Sequence, residues 1–173
     1  VAGYAHSTEI TETALRRASE TARLAVGAGG GTLADSPRGT NARLYRPDDP
    51  MADAAFPVKI ELLRQIDAYA RDLDRRVVQV SATLSASLQE VEILRPDGLR
   101  LTDVRPMARL NVSVMLEEDG RREQGGMGQG GRHGLAQLMD AQTWKPMIAE
   151  AVRIAQVNLG AVDAPAGVMD VVL

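Results

Sequence analysis

The 173-residue chain has no cysteine and few aromatic residues, namely one Trp, one Phe and three Tyr. Without cysteine it can form neither disulfides nor catalytic thiolates, which is in keeping with a reducing, cytoplasmic compartment. Because aromatic residues are scarce, the core must be built mainly from Ala, Val, Leu, Ile and Met. The 45% hydrophobic content is sufficient for such a core.

The chain also lacks an excess of positive charge, with a net charge of −3 and a pI near 5.4. An electrostatic nucleic-acid binder would need a pI above about 9 or a dense basic face. No apolar run approaches the roughly 18 residues of a membrane-spanning helix, and the N-terminus has no signal-peptide pattern. We therefore expect neither a nucleic-acid nor a membrane partner.

Apolar residues at helical spacing predict helices over about 11–26, 57–75 and 144–159, with a short helical piece over 135–139. Thr11 and Thr143 are the predicted N-caps of the first and last long helices. The intervening stretch 27–56 is rich in Gly, Pro and Asp. It predicts a long irregular loop, of the kind that is often mobile or functional.

Between the helices, alternating residues predict antiparallel strands joined at two tight-turn signals, Pro96-Asp97-Gly98 and Asp119-Gly120. Apolar residues occupy even-numbered positions up to Leu84 and odd-numbered positions from Val91, which predicts a turn or bulge near residues 86–89. Pro106 is expected to break the ladder between two strands. The fold class is therefore α+β, an antiparallel β-meander of about four to five strands packed with helices.

Two further features of the sequence concern strands. Asp103, Arg105 and Arg109 could form ion pairs across the sheet. The apolar run over 168–173 predicts a buried strand that ends without a turn or cap. With the missing initiator Met at Val1, this run leads us to expect a domain truncated at both ends.

A glycine-rich segment supplies the candidate binding residues, which are Gly125, Gly126, Gly128, Gly130 and Gly131. Glycine in a strand permits another backbone to approach closely, so an extended peptide could pair with this segment. A twisted or flexible edge strand explains the same residues without any ligand. Two weaker alternatives stay open, a dinucleotide-type G-x-G-x-x-G loop and an arginine–glycine segment for single-stranded nucleic acid.

Catalytic and metal-binding residues are hard to find in this sequence. The two histidines, His6 and His133, are far apart, and no H-E-x-x-H pair is present. No serine lies in a G-x-S-x-G elbow. We predict no complete catalytic site and no metal site within these residues.

Several segments resemble the TldD/PmbA family. They are Gly3-Tyr4-Ala5 before the first helix, Asp103 to Gly120, Gly130 to Gly134, Glu150 to Leu159 and, most specifically, Ala164 to Leu173. The resemblance covers nearly the whole chain and is weakest over 27–56. It identifies residues 1–173 as one N-terminal domain of this family.

The resemblance implies a zinc-dependent metallopeptidase of the cytosol that acts on unfolded or small peptides, in a family formerly labelled modulator of DNA gyrase. It also implies a helical H-E-x-x-x-H zinc motif that follows the stretch matching 164–173. In such a motif two histidines on one helix face share the metal and the glutamate activates its water. No zinc ligand is therefore assigned to any residue of this sequence.

Two hypotheses follow. In the first, the chain is a fragment of a metallopeptidase, inactive alone, that contributes to the substrate enclosure and to the interface of a homo- or hetero-oligomer with a related subunit. In the second, it is a non-enzymatic protein-interaction module of the gyrase-modulator type. An H-E-x-x-x-H helix after Leu173 would separate the two.

Overall fold

The computed structural model describes residues 3–27, 47–95, 98–164 and 166–168. The chain divides into two compact units, residues 1–42 and 43–173. The described elements are α1 (Glu12–Val26) in the first unit and, in the second, α2 (Phe56–Leu73), β1 (Val77–Leu94), β2 (Arg100–Glu118), β3 (Arg121–Gly131), α3 (Ala136–Met139) and α4 (Ala141–Leu159). No described helix is both long and apolar enough to cross a membrane.

Helix α1 begins and ends where the sequence predicts. The Thr11 hydroxyl accepts a hydrogen bond from the Ala14 N–H at 3.2 Å and so satisfies one of the free donors of the first turn. At the other end Gly27 has φ = 72°, a left-handed conformation that glycine adopts readily. The rest of the predicted loop lies largely outside the described residues.

The two long helices of the second unit are also confirmed, with one correction. Pro57 lies in the first turn of α2, as predicted. Helix α4, however, begins earlier than predicted, and its N-cap is Asp140 rather than Thr143. The Asp140 carboxylate accepts from the Gln142 N–H at 2.8 Å, and the Thr143 N–H already donates to the Asp140 carbonyl at 2.9 Å. A carboxylate at the N-cap also favours the positive end of the helix dipole.

The three strands form one antiparallel sheet in the order β1-β2-β3. The β2–β3 hairpin turns at Asp119 and Gly120, whose φ values of 52° and 79° are those of a tight two-residue turn. In the β1–β2 connection, Gly98 has φ = 86° and donates its N–H to the Arg95 carbonyl at 3.0 Å; Pro96 and Asp97 lie outside the described residues. The α+β class is confirmed, and the described residues form three long strands rather than four or five.

The strand count was too high because β1 and β2 are continuous. The turn or bulge predicted near residues 86–89 is wrong, since Ala86 pairs with Ala108 and Leu88 with Pro106 without a shift of register. Beyond Ala86 the two strands run on as a ribbon, because Ala108, the partner of Ala86, is also the last β2 residue that pairs with β3, opposite Gly131. Because no third strand lies beside the ribbon, its apolar residues can shift from even-numbered to odd-numbered positions without a bend in the strand.

Pro106 does not break β2, contrary to the prediction. It is buried within the strand and pairs with Leu88. The pairing of β2 with β3 ends at Ala108, so on that side Pro106 lies at an unpaired edge of the strand. A proline there removes no ladder hydrogen bond, which is why the strand tolerates it.

The core lies between one face of the sheet and the helices. The even-numbered residues of β2 from Ala108 to Leu116 are almost fully buried, in the alternation predicted for this segment. Helices α2 and α4 contribute the rest of the core, which consists of Leu62, Ile66, Ala70, Trp144, Met147, Ile148, Ala151, Val152 and Ala155. The opposite face of the sheet carries small and polar residues, among them Ser81, Thr83, Ser85, Asn111 and Ser113. The strand predicted over 168–173 falls outside the described residues except for Val168.

Candidate functional site

The glycine-rich segment forms β3, which is an edge strand of the described sheet. The Glu117 N–H donates to the Arg76 carbonyl beside β1, so the odd-numbered backbone groups of β2 point toward β1 and the even-numbered ones toward β3. With the observed register, the even-numbered residues of β3 then point their N–H and C=O groups away from the sheet. Gly126, Gly128 and Gly130 thus present an exposed backbone edge.

One end of this edge is already occupied by a side chain. The Asn158 amide donates to the outward carbonyl of Gln124 at 3.0 Å. Nearby, the Arg121 guanidinium donates to the carbonyls of Asn158 and Ala161 at 3.1 and 3.0 Å, which ties the end of α4 to the start of β3. The stretch from Gly126 to Gly130 is therefore the part of the edge that can accept another strand.

Gly125 has a structural role on the buried face. A Cβ at this position would overlap the Ala151 carbonyl oxygen and would lie 2.6 Å from the Ala155 nitrogen, both in the backbone of α4. Glycine is therefore what allows α4 to pack directly on β3. Of the five predicted binding glycines, Gly125 is the buried one, and Gly131, which pairs with Ala108, lies on the same face of the sheet.

Gly128 and Gly130 lie on the open face beneath the Arg109 side chain. A Cβ at Gly128 would lie 2.6 Å from Asn111 Oδ1 and 2.8 Å from a terminal guanidinium nitrogen of Arg109. A Cβ at Gly130 would overlap the Ala108 carbonyl oxygen in the backbone of β2 and would lie 3.0 Å from Arg109 Cα and Cβ. Gly128 thus gives the Arg109 guanidinium room to extend across β3, whereas Gly130 is required first by the backbone of β2.

Gly126 and Gly131 differ in their surroundings. The nearest atom to a Cβ at Gly126 is the Val112 carbonyl oxygen at 3.4 Å, an ordinary contact. A Cβ at Gly131 would instead lie 2.8 Å from the His133 ring. Among these glycines Gly126 has the most space around it, so packing alone does not account for glycine there.

The two histidines are not brought together with other metal-ligand residues. His6, in the first unit, stacks on Tyr4 with ring centroids 5.8 Å apart. His133, in the second unit, lies with Nδ1 2.9 Å from the Gly134 carbonyl oxygen. Within the described ranges, no group of three His, Cys, Asp or Glu side chains could hold a metal ion. These residues do not fit a zinc site, and no chemical step is assigned through one.

The most connected ionic cluster joins four elements at the other end of the sheet. The Asp74 side chain is 8% exposed and accepts hydrogen bonds from Arg76 Nη2 at 2.7 Å and Gln156 Nε2 at 2.8 Å. Arg76 also pairs with Glu118 at 2.8 Å. The hydrogen bond from Arg76 holds the pKa of Asp74 well below its usual range. Every carboxylate here has a partner, so the cluster is structural.

Two other surfaces offer no chemistry. The G-x-G-x-x-G stretch lies inside an antiparallel strand, so it does not form the strand-to-helix turn that a dinucleotide site requires. A hollow of about 200 Å³ between α2 and β1 is lined mainly by apolar residues such as Phe56, Leu63 and Leu84. Its one charged group, the Lys59 ammonium, donates to the Met51 carbonyl at 2.6 Å.

The predicted ion pairs of Asp103, Arg105 and Arg109 do not cross between strands. Arg105 pairs with Asp103 on its own strand at 2.6 Å, whereas Arg109 donates its Nε–H to Asn111 at 2.8 Å. Sequence reasoning also missed Asp53, whose carboxylate accepts from the Leu135 N–H and fixes the segment after β3. Asp53 and Leu135 are 82 residues apart, and no local pattern relates them.

Comparison with known proteins gives a consistent match. Residues 49–159 match the PmbA/TldA metallopeptidase central domain. The chain is similar to a metalloprotease TldD homolog of Haemophilus influenzae, at 40% identity over 99% of this chain and 37% of that protein. Homologs from Buchnera aphidicola subspecies Schizaphis graminum and Acyrthosiphon pisum are 38% and 31% identical, over 75% and 99% of this chain and 28% and 37% of those proteins.

The chain therefore spans 28–37% of the length of these curated relatives. The matched family description refers to a central domain, whereas the segments in the sequence suggested an N-terminal one. The expectation of a single domain over residues 1–173 stays a prediction.

Proposed function

Since this chain belongs to the TldD/PmbA metallopeptidase family, we propose that it is part of a cytoplasmic, zinc-dependent enzyme that cleaves unfolded or small peptides. In this proposal residues 1–173 supply substrate contacts and a subunit interface but no metal ligand. When bound, the zinc ion would activate water for peptide hydrolysis. The described residues do not fit that ion, so their contribution is to hold the peptide.

The observation that carries the proposal is the exposed backbone edge of β3. An extended peptide laid beside Gly126, Gly128 and Gly130 would pair its main-chain groups with theirs and add a fourth strand to the sheet. The three glycines have no side chains on the open face, so they impose little selection through side-chain fit.

Main-chain pairing also favours unfolded over folded substrates. In a folded protein nearly all backbone N–H and C=O groups are already hydrogen-bonded, whereas in an unfolded peptide they are available to a new partner. A strand edge therefore distinguishes the two classes without reading sequence. The proposed site residues are Gly126, Gly128 and Gly130, with Gly125 and Gly131 holding the strand in place.

The β1–β2 ribbon supports the proposed subunit interface. An isolated two-stranded ribbon is marginally stable in water, yet this ribbon extends beyond β3. Near its tip Ile93 and Leu94 are 50% and 69% exposed. We propose that these side chains pack against a related subunit, in a homo- or hetero-oligomer.

The test uses a longer protein that contains this chain together with the region equivalent to the rest of its relatives. We expect it to hydrolyse unfolded casein in the presence of zinc. Gly126→Pro removes an outward N–H of the edge without removing a bond to β2, and it should lower the rate of hydrolysis. Gly126→Ala keeps the N–H, has room for its Cβ, and should leave that rate almost unchanged.

Two results would contradict the proposal. If Gly126→Pro folds normally and cleaves casein as fast as Gly126→Ala, then β3 does not bind the substrate. If the longer protein folds but neither binds zinc nor cleaves casein, then the second hypothesis, a non-enzymatic interaction module, is the better account.

A further inference from the structure

We propose that Arg109 forms a subsite for an acidic side chain of the bound peptide, at the position beside Gly128. This inference rests on the proposed pairing of an extended peptide along β3. It adds a selectivity for aspartate or glutamate that backbone pairing alone does not provide.

The first step is the reach of Arg109. The residue lies on β2, one strand away from the edge, and pairs with Gly130. Its side chain runs along the open face until a terminal nitrogen lies 2.8 Å from where a Cβ of Gly128 would be. Because β3 has no side chain at Gly128 or Gly130, the positive charge lies over the edge strand itself.

The second step is the orientation of the guanidinium. Arg109 Nε donates to Asn111 Oδ1 at 2.8 Å, and this bond fixes the plane of the group. An arginine carries five N–H donors in a rigid fork, so the terminal nitrogens retain donors for an acceptor outside β3. A neutral amide orients the cation without neutralising it.

The third step is the charge balance of the open face. Its other arginines near the edge are paired, Arg105 with Asp103 at 2.6 Å and Arg122 with Glu117 at 2.6 Å. In the part of the chain that the structure describes, Arg109 has no carboxylate partner of this kind. Arg109 is thus an oriented cation at the sheet edge that has no carboxylate partner among the described residues.

The fourth step is the position of the peptide side chain. Directly opposed residues of neighbouring strands have Cβ atoms about 4.5–5.5 Å apart on the same face. A peptide residue opposite Gly128 would project its side chain onto the open face beside the guanidinium. A carboxylate there would make a charge-assisted hydrogen bond.

The experiment measures binding of two blocked nine-residue peptides to the 173-residue chain by fluorescence anisotropy at low salt. One peptide alternates Thr and Glu, and the other alternates Thr and Gln. Because side chains alternate between the two faces of a strand, every second pairing register of this peptide on β3 places a Glu on the open face opposite Gly128. We expect the Glu peptide to bind roughly two- to fivefold more tightly, as for a partly exposed ion pair. The net charge of −3 opposes a non-specific preference for the acidic peptide.

The variants isolate Arg109. Arg109→Gln should abolish the preference for Glu while leaving affinity for the Gln peptide unchanged, and Arg109→Lys should restore part of it. Arg75→Gln makes the same charge change at an exposed position in the turn before β1 and should keep the preference. Gly128→Ala keeps the arginine but displaces it and should weaken the preference.

Each outcome has a distinct meaning. Equal affinity of the two peptides for the unmodified chain, or an undiminished preference in Arg109→Gln, would overturn the subsite but leave edge pairing intact. If neither peptide binds, the proposed pairing along β3 fails, and the subsite fails with it.

Discussion

Gly125 lies so close to Ala151 that a Cβ on the glycine would overlap the carbonyl oxygen of the alanine. This contact joins the edge strand to the middle of α4. Since both obstructing groups, at Ala151 and Ala155, belong to the helix backbone, a side chain at Gly125 cannot be accommodated by a change of rotamer. The helix or the strand would have to move.

We therefore expect Gly125→Ala to lower the free energy of unfolding by about 1–3 kcal/mol, the usual cost of overpacking a well-packed core. Gly126→Ala, one residue away on the open face, should change it by about 0.5 kcal/mol or less. Urea unfolding followed by fluorescence of the buried Trp144, the only tryptophan, measures both. Equal stability of the two variants would contradict the observed packing.

The Asp74 cluster makes stability depend on pH. In the folded chain the pKa of the Asp74 carboxyl is lowered below the ordinary value of 3.8, chiefly by the hydrogen bond from Arg76. A group with a lowered folded pKa stabilises the protein above the unfolded pKa and loses that contribution as the pH falls toward the folded pKa. Stability should therefore fall below about pH 4.

Asp74→Asn tests this directly. At pH 7 it should cost about 1–3 kcal/mol, because it weakens a bond to a charged partner in a largely buried site. The difference from the unmodified chain should shrink as the pH is lowered from 5 toward 2. A difference that stays constant across this range, measured by urea unfolding, would show that the charge of Asp74 contributes nothing.

The Thr11 cap can be tested in the isolated helix. A peptide covering residues 3–27 with Thr11→Ala should lose helicity, corresponding to about 1 kcal/mol for the lost hydrogen bond to Ala14. Thr11→Ser keeps a hydroxyl acceptor and should retain most of it. Far-UV circular dichroism gives the comparison, and equal helicity of all three peptides would count against the cap.

The proposal that this chain supplies no metal ligand leads to a prediction about zinc. Residues 1–173 should bind zinc only weakly and without a fixed stoichiometry, since no suitable ligand cluster occurs among the described residues. A chelator should leave the unfolding curve of this chain unchanged. Tight one-to-one binding in a calorimetric titration would show that the ligands lie within this chain after all.

The sequence was informative wherever one short segment determines the structure. Thr11 and Gly27 bound α1, and Asp119-Gly120 forms the predicted hairpin turn, because caps and tight turns depend on neighbouring residues. Apart from the N-cap of α4, which is Asp140 rather than Thr143, the errors concern contacts between distant segments. Because β3 ends at Gly131, Pro106 removes no hydrogen bond from the sheet. No sequence pattern around Pro106 indicates where β3 ends.

The candidate site shows the same division. Glycine enrichment identified β3, but the separate roles of its glycines follow from register and packing. Gly125 faces α4 and Gly128 faces Arg109, since residues three positions apart on one strand point to opposite faces. A sequence pattern alone cannot distinguish them, since glycine has no side chain whose polarity would indicate the face.

The end of β3 also divides β2 into two segments of unequal local stability. From Ala108 to Leu116 the strand is paired on both sides, and from Arg100 to Met107 on one side only. Opening of the outer segment breaks one ladder and leaves the core packed, so its free energy is lower than that of global unfolding. Within a single unbroken strand, amide protection against hydrogen exchange should therefore fall sharply at Met107, and the ribbon can open and close while the β3 edge stays formed.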